Sequence, residues 1–180
     1  QQAGYHQSHA GIAGSAYRKS GKSSRRGTAT ARKAMVKSKE KKYLLLFSSI
    51  ALSIVFLDQI AKYYAAIFRP EWNLAFISIH FVHNTGAGFG ILKGQMGILA
   101  FISALAALAV IFFYHKIPQE KLPQILFGLF LGGVVGNLID RTLRGYVIDF
   151  IDLAFWPVFN VADMAISVSV IGLVLYYWSE

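Results

Sequence analysis

A chain of 180 residues that is 55% apolar and 14% aromatic but only 15% charged departs from soluble domains, where about a quarter of residues carry charge. Having no cysteine, it can form no disulfide, thiolate metal site or cysteine nucleophile. The net charge of +9 is concentrated at one end: residues 1–42 hold eleven Lys/Arg against Glu40 alone, and the remainder holds seven against eight Asp/Glu.

Residues 1–42 are rich in Gly, Ser, Ala, Lys and Arg and show no apolar periodicity, the composition of a segment unable to offset its ordering entropy. They predict a disordered basic tail. The blocks SGKSSRRG and KSKEKK are the orientation signals expected beside a membrane span, so the tail is read as solvated and cytoplasmic, with no nucleic acid as partner. It is not read as a secretory leader, because the first apolar run starts only at Tyr43 and no small-residue cleavage site follows it.

From there four stretches, 43–68, 96–114, 124–142 and 159–178, reach the roughly 20 residues needed to cross a hydrocarbon core. Residues 43–180 are thus predicted to form one all-α integral membrane domain of four transmembrane helices. The turn HKIPQEKLP carries Lys116 and Lys121. With the basic tail it places both termini and the 115–123 loop in the cytoplasm, leaving the other two joints outside. In the first of these, residues 69–95, β-branched and aromatic residues precede a glycine-rich turn, predicting a short strand pair, a small extracytoplasmic β-like cradle. The second, residues 143–158, is predicted as a loop. No strong internal repeat supports an inverted-repeat transporter.

Ionisable groups within spans need a partner, a wet cavity or a function. Asp58 and Lys62 stand at i, i+4 in the first span, with the acid first, the better order for a helical ion pair; self-neutralisation and a role in a site both remain open. Asn137, Asp140 and Arg141 close the third span in GNLIDR, spaced so that Asn137 shares a face with both charged residues. Asp140 could pair with Arg141 or Lys62. Asn160 and Asp163 open the fourth span one turn apart, and Asp149 lies in YVIDFIDL between apolar neighbours. Such flanking desolvates a carboxyl and raises its pKa, and two such groups brought together share one proton. A shared-proton pair can hydrolyse a peptide without metal: the ionised carboxylate takes a proton from the attacking water while its protonated partner hydrogen-bonds the scissile carbonyl.

All these groups lie at the predicted outer face. A proton-coupled transporter or channel would instead spread its acids across the membrane depth, and a non-catalytic binding module would use them only to hold helices together. Gly86, Gly88 and Gly90 around Phe89 would let a backbone approach closely, as against a substrate strand or in an ordinary tight turn. Gly132, Gly133 and Gly136 suit close helix packing. His80 and His83 could share a metal, the other three histidines lie elsewhere in the sequence, and no histidine pair forms a zinc signature.

The blocks FLDQIAK, NTGAGFG, GGVVGNLIDR, GYVIDFID and WPVFNVAD occur in this order over all but the tail. On them the chain resembles the lipoprotein signal peptidase, or signal peptidase II, family. The resemblance implies a membrane aspartic endopeptidase, monomeric and without metal or other cofactor, that removes the signal peptide from diacylglyceryl-modified prolipoproteins on the N-terminal side of the lipidated cysteine. It implies location in the bacterial cytoplasmic membrane in contact with lipid, with the site near the outer leaflet. It makes Asp149 and Asp163 the catalytic dyad, and Asp58, Lys62, Asn84, Gly86, Asn137, Asp140, Arg141 and Asn160 the residues that shape the site and hold the substrate backbone. Ala87–Gly88 stands where the family usually has two alanines.

Overall fold

The computed structural model describes residues 9–87 and 92–179, with side chains from residue 32 onward. By contacts the chain divides into residues 1–42 and 43–180. In chain order the elements are α1 (His9–Phe68), β1 (Trp72–Leu74), β2 (Ile77–Asn84), α2 (Met96–Phe112), α3 (Lys121–Leu143), β3 (Val147–Asp152) and α4 (Val161–Trp178), with a short 3-10 turn, Tyr114–Lys116, after α2.

In the first unit the helix begins at His9, where the composition suggested a disordered tail. Residues 32–42 are all exposed, so helix there rests on the local propensity of Ala, Lys, Met and Glu and not on packing. At its other end α1 stops where expected: Arg69 takes a left-handed backbone (φ 42) and Pro70 cannot continue the helix.

Among the described residues three helices are long and apolar enough to cross a membrane: Arg32–Phe68 within α1, α3 and α4. Four were expected. The 17 residues of α2 reach only about 25 Å, because the chain turns into the 3-10 segment before residue 114. Burial is inverted relative to a soluble protein. Asp58, Lys62, Gln124, Asn137, Asp140 and Asn160 are buried, while Phe56, Ile60, Phe101, Leu105, Leu108, Ile171 and Val174 are exposed. An apolar surface this extensive faces lipid.

Small residues let α3 approach its neighbours closely, as its glycine pattern predicts. A Cβ on Gly132 would stand 2.7 Å from the Ala51 carbonyl oxygen of α1, and one on Gly133 would stand 2.5 Å from the Ala162 carbonyl oxygen of α4. Neither backbone oxygen can step aside. Gly133→Ala is therefore expected to destabilise by about 1–3 kcal/mol, read as a lower melting temperature in detergent; unchanged melting would show that α3 and α4 have room to separate.

The strands form one antiparallel sheet in the order β1-β2-β3. The 69–95 joint supplies the expected strand pair, but the 143–158 joint is not simply a loop, since it carries β3. Aspartate is disfavoured in strands, and the two in VIDFID hid the pattern. Gly145, with φ of 75, turns the chain from the end of α3 into β3.

Candidate active site

The centre of the site is Lys62, fully buried on α1. Its ammonium donates to Asp58 Oδ2 at 2.8 Å, Asp140 Oδ2 at 2.9 Å and Asn137 Oδ1 at 2.9 Å. An ammonium has three protons and no acceptor, so these contacts saturate it. Each buried carboxylate is satisfied in turn. Asp58 Oδ1 accepts the Ala162 N–H at 2.9 Å, one of the unpaired donors at the start of α4. Asp140 Oδ2 accepts the Ile148 N–H at 3.3 Å, and its Oδ1 accepts from Gln59 at 3.3 Å and from Arg144. α1, α3, β3 and α4 are thus tied to one cation.

Asn137 passes this order to the aspartates. With its Oδ1 held by Lys62, its Nδ2 faces outward and donates to Asp163 Oδ1 at 2.7 Å. The same Oδ1 accepts from Asn160 Nδ2 at 3.2 Å. Asn160 is the N-cap of α4 and forms a reciprocal box with Asp163: its Oδ1 accepts the Asp163 N–H at 2.9 Å, while Asp163 Oδ2 accepts the Asn160 N–H at 3.3 Å. Its amide also donates to Asp149 Oδ1 at 2.6 Å. One asparagine therefore bridges the two aspartates. It is brought to Asp149 by a backbone bridge in which Phe159 pairs with Ile151 of β3.

Asp149 Oδ2 accepts from Asn84 Nδ2 at 2.8 Å, and Asn84 Oδ1 accepts the Gly86 N–H at 2.8 Å. A bulge in β2 sets up this contact. The β2–β3 register shifts by one residue between Ile79 and Val82, so that Val82 and not Phe81 stands opposite Asp149. Without that extra residue the diagonal neighbour of Asp149 would be His83. As built, His83 stacks on Tyr146 with ring centroids 4.1 Å apart, and His80 lies 3.9 Å from Asp152; the two histidines share no site.

Asp149 is 1% exposed and Asp163 is half-buried. Burial, with the Asp163 charge second, pushes the Asp149 carboxyl up to about 7, against the opposing pull of the Asn84 and Asn160 amides and the Lys62 charge. Both aspartates face a cleft of about 580 Å³ whose other walls include Thr85, Gly86, Arg141, Trp156 and Ser167. The predicted site residues Asp58, Lys62, Asn84, Gly86, Asn137, Asp140, Asn160, Asp149 and Asp163 are thus gathered into one hydrogen-bonded cluster. Gly88, Phe89 and Gly90 lie outside the described residues.

Of the two partners considered for Asp140, Lys62 is the one found. Arg141 lines the cleft and does not pair with Asp140, because consecutive helical residues point away from each other. The arginine on Asp140 is Arg144, four residues on, joined to Gln59 Oε1 at 3.1 Å. Sequence reading missed both Gln59 and Arg144, although the i, i+4 acid-to-base spacing of Asp140 and Arg144 was a usable signal. Among the described residues no group of three or more His, Asp or Glu is arranged to hold a metal ion.

Lipid-facing helices enclosing an acid pair beside an open cleft fit a membrane-embedded aspartic peptidase, the class to which the comparisons with known proteins assign the chain. The signal peptidase (SPase) II family profile matches residues 50–179. Over 138 residues the chain is 39% identical to the lipoprotein signal peptidase of Moorella thermoacetica, spanning 73% of this chain and 90% of that protein. Over 149 residues it is 37% identical to that of Teredinibacter turnerae, spanning 76% and 87%. A bacterial membrane enzyme solved by the in meso method at 2.3 Å superposes with a TM-score of 0.69 at 31% identity, covering 77% of this chain and 88% of that one. The chain belongs to the signal peptidase II family.

Proposed function

We propose that this peptidase removes the signal peptide from diacylglyceryl-modified prolipoproteins, cutting on the N-terminal side of the lipidated cysteine, with Asp149 and Asp163 as the catalytic dyad. The observation that carries this reading is the Asn160 bridge between the two carboxyls at the wall of the cleft. Two acids held by one residue, one of them with a pKa near 7, share a proton at neutral pH. The ionised member takes a proton from water as the water oxygen attacks the scissile carbonyl carbon. The protonated member hydrogen-bonds the carbonyl oxygen and then supplies the proton that lets the amine leave.

Asn137 and Asn84 fix the outer oxygens of the pair, and Lys62, Asp58 and Asp140 hold those asparagines and the start of α4 in place. In this reading α2 is the fourth span, the bilayer thinning or the flanks adapting to its length. Both termini and the basic 115–123 loop then lie in the cytoplasm, and the sheet and cleft lie at the outer leaflet. The enzyme acts as a monomer, and the cleft opens sideways to lipid, where the acyl chains of the substrate remain during cleavage.

The purified protein in detergent is expected to cleave a prolipoprotein whose lipobox cysteine carries diacylglycerol and to leave the unmodified precursor intact, with mass spectrometry placing the cut before that cysteine. Equal cleavage of the unmodified precursor, or a cut elsewhere, would refute the substrate assignment.

A further inference from the structure

Arg141 adjoins Asp140 in α3, yet it takes no part in the Lys62 network. Its Nη1 donates to Ser103 Oγ on α2 at 3.1 Å. The same hydroxyl donates to the Leu99 carbonyl one turn back at 2.9 Å. A serine hydroxyl has one proton and two lone pairs, so with the proton committed to Leu99 a lone pair faces the guanidinium. The Nε of Arg141 is buried and has no protein acceptor, while the side chain lines the cleft with both aspartates. It is close enough to feel Asp163, Asp149 and Asp140, in that order, but makes no ion pair with any of them; the cations on the Asp140 carboxylate are Lys62 and Arg144.

An untethered guanidinium beside two carboxylates in a low-dielectric cleft would settle on one of them, since a charge-assisted fork is among the stronger polar contacts available there. We propose that Ser103 is a positioning residue for the cleavage reaction: by anchoring Arg141 to α2, it holds the guanidinium off the Asp149–Asp163 pair and against the wall of the cleft. This rests on the assignment of that pair as the dyad.

Losing the tether has a specific consequence for pH. A guanidinium settling on the pair favours the doubly ionised form, so the shared proton leaves at lower pH. The other charged or titratable groups facing the pair are Asp58 and Lys62 on α1, and His83 on β2 with Lys93 before α2 along the cleft. None of them contacts Ser103 among the described hydrogen bonds.

The test measures cleavage of the lipidated precursor against pH for the full chain in detergent, as wild type, S103A, S103T, R141Q and S103A/R141Q, with D149N alongside. S103A is expected to lower kcat/KM about tenfold, the scale of one lost hydrogen bond to a charged group, and to move the alkaline limb down by about one pH unit. S103T keeps the hydroxyl and should behave as wild type. In the R141Q background, S103A should add nothing, since the two residues act as one unit. A wild-type alkaline limb in S103A, an S103T that behaves as S103A, or full additivity with R141Q would each overturn the proposal. If D149N is inactive while S103A matches wild type, only the role of Ser103 falls; if D149N still cleaves, the dyad assignment falls and the role of Ser103 with it.

Discussion

Asp149→Asn and Asp163→Asn are each expected to lower kcat/KM for the lipidated precursor by about 10³-fold or more, and the double variant to fall no further. The non-additivity matters as much as the size: two carboxyls that share one proton form a unit, and removing either half disables it. Because Asp149 has a pKa near 7, wild-type kcat/KM should fall along an alkaline limb near neutrality, where the pair loses its proton. Melting separates this reading from one in which the aspartates only hold the helices. The folded pKa of Asp149 is raised above its ordinary 3.8, so its ionisation weakens the native state progressively as pH rises from about 4 to about 7. An asparagine never ionises, but its Nδ2 cannot accept one of the two amide N–H groups that Asp149 receives. Asp149→Asn should therefore melt slightly below wild type near pH 4 and above it near pH 8, an inactive protein that is there more stable than the active one. Retained cleavage in a folded single variant would sink the dyad, and a lower melting point near pH 8 would make Asp149 a structural residue.

Much of this site was legible because ionisable groups in apolar stretches stand out. Asp58, Lys62, Asn137, Asp140, Asn160 and Asp163 could each be placed near a span end by counting, and the structure joins all six. What counting did not give is which partner each residue finds. Asp140 was expected to pair with Arg141 or Lys62; it finds Lys62, and the arginine it finds is Arg144, because position i+4 lies on the same face as i and i+1 does not. Asn84 entered through resemblance alone. Strand alternation from the sheet edge would have set His83 beside Asp149, and the bulge between Ile79 and Val82, which has no sequence mark, exchanges the two. β3 was missed for a related reason, since Asp149 and Asp152 look like loop residues until they are seen serving a site. The reach of α2 depends on where the chain turns after Phe112, which composition does not reveal.

Lys62→Met is expected to do more damage to folding than any substitution at the dyad itself. The methionine fills the space of the side chain but removes the cation shared by Asp58 and Asp140, both fully buried. Stripping the partner from a buried charge costs about 3–5 kcal/mol, a large part of the roughly 5–15 kcal/mol that holds a typical domain together. Asn137 would also lose the donor that fixes its orientation, and with it the amide contacts to Asp163 and Asn160. The variant should give little monodisperse protein and melt well below wild type, by about 6 °C or more for a chain of this size. The second variant Lys62→Met with Asp58→Asn separates charge from shape. It removes one unpaired carboxylate, while Asp140 keeps Arg144 and Gln59. Folding should then recover most of the loss, whereas cleavage should not return, because nothing remains to orient Asn137 toward Asp163. If Lys62→Met melts with wild type, Lys62 is not the centre on which these elements depend. If the double variant cleaves at the wild-type rate, the chain of contacts from Lys62 through Asn137 to the aspartates has no part in catalysis.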